Sequence, residues 1–502
     1  MKKSIMLQGT ASSVGKSILA AALCRIFTED GYNTAPFKSQ NMSLNSYITP
    51  EGHEMGRAQV MQAEAAGKVP SSKMNPILLK PTTDHNSQII VNGVVHRNMD
   101  VTEYFAYKPK LKKMIKATFD ELLDENDIVV IEGAGSPAEI NLKQQDIVNM
   151  GMAKMAESPV ILVGDIDKGG VFASLYGTVM LMDEDEKKMI KGVIINKFRG
   201  DVELLKPGLK MIEDLINIPV LGVIPYFNHN LEDEDSVVDW SKYSDNAKGD
   251  LDVAIIRLSK LSNFTDFNAL KLHNDVKLRF VDLDDKLGNP DLIIIPGSKS
   301  TIDDLNKLRE SKMEKQIIDA HNKGSFVFGI CGGFQMLGKT IKNPLKVESS
   351  IEEVEGLSLL PIITTFEEEK VTTLSGGSDI IFNSPIKGYE IHMGRTQVLE
   401  ECSPLIHINT RNGLNSTDVD DGAVNQNHTV FGTYLHGIFD NTDFTRSLLN
   451  NIRQARGMEE FNEEVVDYQN YKEEQYDKLA DIVRNNIDME SIYRILKDGI
   501  DV

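Results

Sequence analysis

Short apolar runs that do not alternate with polar residues constrain the fold of this chain more than any other feature of its sequence. The first half of the chain contains five strand candidates, at Ser4–Leu7, Ile128–Ile131, Val160–Val163, Gly192–Ile195 and Val220–Val223, and several of them are apolar without alternation. Strands without alternation are typical of parallel sheets that are covered by helices on both faces. Apolar residues at helical spacing predict such a helix over Ile18–Phe27.

A second series of the same kind begins after residue 250, at Val253–Arg257, Leu278–Val281, Leu292–Ile295 and Phe326–Ile330. The acidic and polar stretch 229–250 between the two series is typical of a linker. The sequence therefore predicts two tandem α/β domains with mostly parallel sheets, over 1–228 and 251–450. Residues 451–502 are predicted to form a helical extension that packs on the second domain through a weak apolar stripe.

Composition excludes several classes of partner. The net charge of -21 argues against binding to a nucleic-acid backbone, which requires a basic surface. No run approaches the roughly 20 apolar residues that span a bilayer, and the first apolar run is too short for a signal peptide. Three cysteines do not suggest a disulfide framework. We expect a soluble, cytoplasmic protein whose partners are small molecules, and we leave open whether it forms a homo-oligomer.

A phosphate-binding loop is predicted between the first strand and the first helix. The segment from Gly9 and Thr10 to Gly15, Lys16 and Ser17 follows the strand directly. Its glycines allow backbone N–H groups to face inward, and the helix N-terminus adds partial positive charge. Lys16 can reach the outer phosphates of ATP and Ser17 can ligate Mg²⁺. The loop has one residue more between its glycines than the common pattern.

A nucleophile is predicted where the strand Phe326–Ile330 ends in Cys331-Gly332-Gly333 and a helix follows. Small neighbours permit the strained turn that exposes such a nucleophile, and a helix N-terminus lowers the pKa of a thiol from about 8.5. The N–H of Gly332 can stabilise an oxyanion. His436, at the end of a later apolar strand, is the predicted base; His392 and His428 are its competitors.

Each half resembles a known family. The long loop of the first half resembles that of the dethiobiotin synthetase-like branch of P-loop proteins, which use ATP to activate carboxylic or carbamic acids. That resemblance implies a metal ligand at Glu132, a second phosphate-contacting lysine at Lys38 and an adenine-reading asparagine at Asn196.

The second half resembles the class I glutamine amidotransferases through the elbow GICGGFQ, which implies a flavodoxin-like domain. The loop at Pro296-Gly297-Ser298 resembles that family's oxyanion loop. A glutamate normally stands two residues after the histidine, but here the position holds Ile438, which narrows the resemblance to members with a Cys–His dyad. Without that glutamate, we expect either Asp440 or a backbone carbonyl to orient the imidazole of His436.

Almost the whole chain resembles the cobyric acid synthases, a family of glutamine-hydrolysing carbon–nitrogen ligases. The stretches that carry this resemblance are Pro36–Ser43, Asn75–Pro81, Glu132–Leu142, Asp165–Ser174, Asn196–Asp201, Ser262–Phe267, Pro296–Thr301, Gly388–Thr396 and Gly432–Asn441. The family implies four ATP- and glutamine-dependent amidations, on the b, d, e and g carboxylates of adenosylcobyrinic acid a,c-diamide. Acyl phosphates would be the intermediates, and Mg²⁺ the cofactor.

A polycarboxylate substrate needs local cations, and the candidates are Lys80, Lys168, Lys197 and Arg199, with Asp146 as a residue that positions metal or substrate. The nearest alternative is a cobyrinic acid a,c-diamide synthase, which has the same domains but amidates other carboxylates. A ParA/MinD-like ATPase switch leaves the second domain unexplained. A corrinoid-binding protein with a degenerate glutaminase is the third alternative, because the triad glutamate is absent.

Overall fold

The computed structural model describes residues 2–82, 86–227, 231, 249–399, 402–463 and 466–500, with 416–418 described by their backbone alone. The predicted linker, 229–250, lies outside the described residues except for Leu231, Gly249 and Asp250. The described residues fall into two compact units. The first consists of the described residues within Met1–Ser43, Glu54–Val238 and Lys472–Val502, and the second of those within Leu44–His53 and Asp239–Tyr471.

The α-helices are α1 (Lys16–Glu29), α2 (Arg57–Ala65), α3 (Val101–Glu125), α4 (Met150–Ala156), α5 (Val171–Met180), α6 (Glu184–Met189), α7 (Val202–Ile216), α8 (Thr301–Glu310), α9 (Met313–Asn322), α10 (Gly332–Met336), α11 (Thr442–Ala455), α12 (Tyr468–Arg484) and α13 (Met489–Asp498). The strands are β1 (Lys3–Gly9), β2 (Thr34–Phe37), β3 (Gln40–Met42), β4 (Ser46–Ile48), β5 (Glu54–Gly56), β6 (Ile77–Pro81), β7 (Asn86–Val91), β8 (Val94–Asp100), β9 (Ile128–Glu132), β10 (Val160–Asp165), β11 (Ile190–Phe198), β12 (Val220–Pro225), β13 (Leu251–Arg257), β14 (Val276–Asp282), β15 (Leu292–Ile295), β16 (Phe326–Ile330), β17 (Thr340–Lys342), β18 (Glu353–Glu355), β19 (Ile362–Asp379), β20 (Pro385–Val398), β21 (Cys402–Ser403), β22 (Ile406–Arg411), β23 (Leu414–Asp421), β24 (Ala423–Asn425), β25 (Val430–Thr433) and β26 (Leu435–His436).

The first unit is built on a parallel sheet in the order β12-β11-β10-β1-β9-β2. Apolar side chains of α1, such as Leu19 and Phe27, are buried with Ile5 and Leu7 of β1 in one core. Helices on a parallel sheet explain why the strands are apolar throughout. Because the carboxyl ends of parallel strands share one edge of a sheet, the loops after β1, β9, β10 and β11 meet there. A separate sheet, β3-β6-β7-β8, completes the unit.

The second unit contains a sheet in the order β14-β13-β15-β16-β25-β24-β21, parallel from β14 to β25 and antiparallel beyond. β16 lies beside β25, which places the end of the strand before Cys331 next to the chain that leads into His436. The long hairpin β19–β20 belongs to a second sheet, in which Tyr389 pairs in register with His436 of β26. The prediction of two α/β units with mostly parallel sheets is confirmed.

The helical C-terminal segment was predicted to pack on the second domain, and that prediction is wrong from Lys472 onward. Tyr476, Leu479 and Val483 are buried in the core of the first unit. Polar contacts agree with this placement, since Lys472 and the hydroxyl of Tyr476 both donate to Glu64. The predicted apolar stripe is buried, but an apolar stripe alone does not specify which core it joins.

Replacing Tyr476 with alanine is expected to destabilise the first unit by about 3–5 kcal/mol, the usual cost of truncating a buried aromatic side chain. Tyr476 is 1% exposed, and its hydroxyl lies 2.8 Å from Glu64 Oε2. Native-state hydrogen exchange of the β1 amides measures the free energy of opening. Lys478→Ala, on the exposed face of the same helix, is the matched control. An opening free energy that is equal in both variants would contradict the assignment of this helix to the first core.

Candidate active site

The predicted phosphate loop forms a tight curl between β1 and α1. Gly15 caps α1 with a φ of 97°, a left-handed conformation that favours glycine. A Cβ at this position would also lie 2.3 Å from Asn196 Nδ2, so the close approach excludes a side chain. The ammonium group of Lys16 is buried inside the curl and donates to the carbonyls of Ala11 and Gly135, at 3.2 and 3.3 Å. The loop therefore has the local geometry that phosphate binding requires.

A buried carboxylate, Glu132, ends β9 beside this loop. Ser17 Oγ donates to its Oε1 at 2.8 Å, and Lys38 Nζ pairs with the same oxygen at 2.7 Å. On Oε2, Gln62 and Gln59 donate amide hydrogens at 2.5 and 3.4 Å. Burial by itself raises the pKa of Glu132, but the charge and hydrogen bond of Lys38, the Gln62 amide and the charge of Lys16 together hold that pKa below its ordinary value. Glu132 is therefore an anion.

Ser17 and Glu132 fit a magnesium ion in their chemistry. Mg²⁺ takes oxygen ligands and is usually held by one or two protein oxygens together with phosphates and water. The Ser17 hydroxyl and the ionised Glu132 carboxylate are adjacent oxygen donors at the phosphate loop. Among the residues that the structure describes, no group of three or more His, Cys, Asp or Glu side chains could form a complete metal cage. The site thus suits a cation that arrives with a nucleotide.

Asn196 and Lys197 lie near the carboxyl end of β11 and contact the phosphate loop. The Asn196 amide donates to the carbonyl of Val14 at 2.8 Å, and Lys197 Nζ donates to the carbonyl of Ser13 at 2.6 Å. Lys197 also pairs with Asp165, at the end of β10, at 2.9 Å. These contacts bring the ends of two further strands to the loop.

The other candidates for substrate binding are distributed over the first unit. Arg199 pairs with Asp167 and stacks on the ring of Tyr226, while Lys168 is exposed on the loop after β10. Lys80 is buried in the separate sheet, in an ion pair of 2.6 Å with Glu54.

Asp146 has a local structural role. One carboxylate oxygen accepts the N–H groups of Val148 and Asn149, and the other accepts that of Gly151. These three hydrogen bonds hold the turn that leads into α4, which explains an aspartate at this position without a metal or a substrate.

In the second unit, Cys331 stands between β16 and α10 with φ 51° and ψ -107°. A non-glycine residue in such a conformation costs about 1–3 kcal/mol and is typical of functional sites. The turn also needs glycine after it, because a Cβ on Gly333 would lie 1.9 Å from the carbonyl oxygen of Ile295. The Sγ atom lies 3.5 Å from the carbonyl oxygen of Ile391, on β20. Cys331 therefore has the geometry of a nucleophile elbow.

The loop predicted to hold an oxyanion lies against the same elbow. A Cβ on Gly332 would lie 2.9 Å from the amide nitrogen of Ser298. A Cβ on Gly297 would lie 3.1 Å from His436 Cε1 and from Ser262 Oγ. The structure thus brings Gly297, Gly332 and His436 together, and the first two positions have no room for larger side chains.

His436 is oriented by Asp266, which sequence reasoning missed. Asp266 Oδ2 lies 2.7 Å from His436 Nδ1, and Oδ1 accepts the N–H of Gly437 at 3.0 Å. Burial lowers the pKa of His436, but the charge and hydrogen bond of Asp266, and then the sulfur of Cys331, raise it to about 10. The imidazole is therefore protonated at neutral pH, and Cys331, His436 and Asp266 form a triad.

The two other histidines considered as the base, His392 and His428, have different surroundings. His392 Nδ1 pairs with the carbonyl oxygen of Gly394, and its ring stacks on Tyr434. His428 is exposed in a turn. Asp440 and a backbone carbonyl were the predicted groups that orient His436, and both predictions are wrong. The group that contacts Nδ1 of His436 is the carboxylate of Asp266.

The fold and the two sites define the class of the protein: an ATP-binding synthetase unit joined to a glutamine amidotransferase unit. Residues 5–236 match the CobQ/CobB/MinD/ParA nucleotide binding domain, and residues 252–444 match the CobB/CobQ-like glutamine amidotransferase domain.

Relatives named cobyric acid synthase are similar along their whole length. The chain is 61% identical to that of Clostridium novyi (strain NT), over 99% of both chains. It is 52% identical to that of Thermoanaerobacter sp. (strain X514), again over 99% of both, and 55% identical to that of Clostridium acetobutylicum, over 98% of both. The chain belongs to the cobyric acid synthase family.

Proposed function

We propose that this enzyme amidates the b, d, e and g carboxylates of adenosylcobyrinic acid a,c-diamide, using ATP and glutamine, to form adenosylcobyric acid. The observation that carries the proposal is 61% identity to a cobyric acid synthase over 99% of both chains. The two units supply the two chemistries that such a reaction needs: activation of a carboxylate and release of ammonia from glutamine.

Ammonia release is assigned to the triad of the second unit. The Cys331 thiolate attacks the side-chain carbonyl carbon of glutamine, and N–H groups at Gly332 and Gly297 stabilise the oxyanion. The imidazolium of His436 then protonates the departing nitrogen, which leaves as ammonia. A thioester remains on Cys331. The neutral imidazole takes a proton from water as the water attacks the thioester, and glutamate is released. Asp266 holds Nδ1 throughout, 2.7 Å away.

Carboxylate activation is assigned to the first unit. Lys16 and Lys38 neutralise the phosphates of ATP, and the loop from Gly9 and Thr10 to Gly15 cradles them through its N–H groups. The resemblance to the dethiobiotin synthetase-like branch assigns Asn196 to adenine. Mg²⁺, held by Ser17 and Glu132, would offset the negative charge that develops on the phosphates. Transfer of the γ-phosphoryl group to a substrate carboxylate gives an acyl phosphate. Attack by ammonia on its carbonyl carbon forms the amide and releases phosphate.

Lys197, Arg199 and Lys168 are the best placed cations for the substrate carboxylates. They lie at or just beyond the carboxyl ends of β10 and β11, at the edge where the phosphate loop lies. Lys80 would have to exchange its buried partner Glu54 for a substrate carboxylate. Asp146 is the weakest candidate for substrate binding, because both of its carboxylate oxygens already accept backbone N–H groups.

Replacing Asp266 with asparagine is expected to lower glutamine-supported amidation by about 10²–10⁴-fold, as loss of the acid in a catalytic triad commonly does. The neutral amide removes the charge that raises the pKa of His436. Rates with glutamine and with added ammonia measure the effect, and the ammonia rate should stay near that of the wild type. Asp440→Asn is the matched control, four residues from the histidine. Equal losses in the two variants would contradict the triad.

An assay with two substrates distinguishes the proposed activity from the rival one, the synthesis of cobyrinic acid a,c-diamide. Purified protein receives ATP, Mg²⁺ and glutamine with either cobyrinic acid or adenosylcobyrinic acid a,c-diamide, and the products are followed by mass spectrometry. We expect stepwise exchange of carboxyl OH for NH₂ on the diamide. Amidation that stops at the a and c positions of cobyrinic acid would establish the rival.

The remaining alternatives have less support. A ParA/MinD-like switch gives no role to the second unit, and a degenerate glutaminase is disfavoured by the oriented pair of His436 and Asp266. No helix in the described part of the chain is long and apolar enough to cross a membrane. The three free cysteines and the acidic net charge support a cytoplasmic enzyme of small molecules that does not bind nucleic acid. Formation of a homo-oligomer stays an expectation.

A further inference from the structure

A segment from the first half of the chain packs against residues that surround the glutaminase triad. The chain leaves the first unit after Ser43 and returns to it at Glu54. Between them the inserted segment, Leu44–His53, belongs to the second unit. Asn45, Ser46 and Ile48 are almost completely buried there. Such burial is unusual for a short excursion of the chain over a surface.

The inserted segment holds the turn that carries Asp266. This turn begins at Asn263, which has a φ of 54°, and continues as a 3₁₀ helix over Phe264–Phe267. Asn45 Oδ1 accepts the N–H of Phe264 at 3.2 Å, and the Ser46 N–H donates to Asn263 Oδ1 at 2.9 Å. The first N–H groups of a helix have no partner within the helix, so Asn45 supplies a cap from a distant part of the chain.

The same segment also supports the imidazole of His436 through an aromatic stack. Tyr47 meets the ring of Tyr389 edge to face, with 5.0 Å between centroids. Tyr389 in turn stacks on His436, with centroids 5.3 Å apart and an angle of 18° between the rings. Ile48 packs with Tyr389 and Ile391, and the carbonyl of Ile391 faces the sulfur of Cys331. The segment thus reaches the surroundings of all three triad residues without touching the reacting atoms.

We infer that Asn45 and Tyr47 are positioning residues of the glutaminase: they fix Asp266 and the ring of His436 in the geometry in which Cys331 is activated. This inference rests on the proposed function. Loss of the Asn45 cap would leave the N–H of Phe264 buried without that acceptor and free the turn to move. Loss of the Tyr47 ring would remove the group that holds Tyr389 against the imidazole.

The test uses full-length Asn45→Ala and Tyr47→Ala. A displacement of catalytic groups by about 1 Å can cost on the order of 10²-fold in rate, so we expect the glutamine-supported kcat to fall about 10- to 100-fold. The KM for glutamine and the ammonia-supported rate should stay near those of the wild type. Tyr47→Phe keeps the ring and should restore activity. Glu51→Ala, at an exposed position of the same segment, is the matched control.

Alkylation of Cys331 by iodoacetamide, followed on its own peptide by mass spectrometry, gives a second measurement that needs neither ATP nor corrinoid. The thiolate is the reactive form, and displacement of the imidazolium should slow alkylation by about tenfold in both alanine variants. Unchanged alkylation together with an unchanged glutamine-supported rate would overturn the inference. Equal loss of glutamine and ammonia activities would overturn it as well, because a general structural role would explain that result.

Different results would refute the proposed function and the positioning role of Asn45 and Tyr47. Absence of amidation by the wild type with either nitrogen source would refute the proposed function, while the alkylation rates would still decide the role of Asn45 and Tyr47. Normal amidation by the wild type and by both alanine variants would refute the positioning role alone.

Discussion

Replacing Cys331 with alanine is expected to reduce glutamine-supported amidation by at least about 10³-fold while leaving ammonia-supported amidation near the wild-type rate. The sulfur is the only group at the elbow that can form the thioester, and no neighbour can replace it. The strain at φ 51° is relieved little by alanine, so the fold should be kept. Rates with the two nitrogen sources, measured on the same preparation, separate nucleophile loss from general damage.

Cys402→Ala is the matched control for this prediction, since Cys402 is partly exposed and lies on β21 away from the elbow. It should behave as the wild type with both nitrogen sources. Retention of glutamine-supported activity by Cys331→Ala would refute the nucleophile assignment. A fall of the ammonia rate to the same extent as the glutamine rate would show that the substitution acts on more than ammonia release.

Replacing Lys16 with alanine is expected to remove both activities, by about 10²–10⁴-fold. A lysine that contacts the transferred phosphoryl group stabilises charge in the transition state, and loss of one such electrostatic contact commonly costs about 10²–10³-fold. Lys16 is fully buried within the curl of the loop, so no other ammonium can take its place there. Formation of ADP and of the amide, with glutamine and with ammonia, measures the loss.

Lys116→Ala is the control for Lys16, because Lys116 is a surface lysine on α3 that pairs with Asp120 four residues away. Surface pairs of this kind contribute little. Normal ammonia-supported activity in Lys16→Ala would contradict the assignment of carboxylate activation to the phosphate loop. Thiol alkylation of Cys331 in Lys16→Ala should match the wild type, which confirms that the second unit is intact.

The features that could be predicted from sequence are those whose parts are adjacent in the chain. The phosphate loop and the elbow each consist of a strand, a glycine turn and a helix within about 20 residues. The local sequence is therefore enough to predict their geometry. The apolar strands before Gly9 and before Cys331 identified the parallel sheets for the same reason. These local patterns predict both the fold class and the main candidate side chains of the two sites.

The features that were missed join residues that are distant in sequence. Asp266 lies 170 residues before His436, on a turn with no catalytic pattern of its own. Its one signal was the stretch Ser262–Phe267, which matched the family without suggesting a role. Gln59 and Gln62 share one face of α2, but only the folded chain brings that face to Glu132.

The C-terminal helices illustrate a second limit. Their apolar stripe was visible, yet two cores of similar composition were available to it. The choice depends on specific pairs, such as Arg484 with Asp30 and Glu29 and Lys472 with Glu64, which are more than 400 residues apart in sequence. Burial of Tyr476 in the first core then follows from these contacts. Periodicity identifies a buried face but not its partner.

We expect nitrogen to pass from glutamine to the corrinoid after Cys331 has released it as ammonia. The direct measurement supplies amide-¹⁵N glutamine, ATP, Mg²⁺ and adenosylcobyrinic acid a,c-diamide to the wild type and to Cys331→Ala, and reads the isotope in the product by mass spectrometry. The wild type should place ¹⁵N in each new amide, and the variant should incorporate nitrogen only when unlabelled ammonia is added. Unlabelled amides from the wild type, or ¹⁵N amides from the variant, would contradict the account.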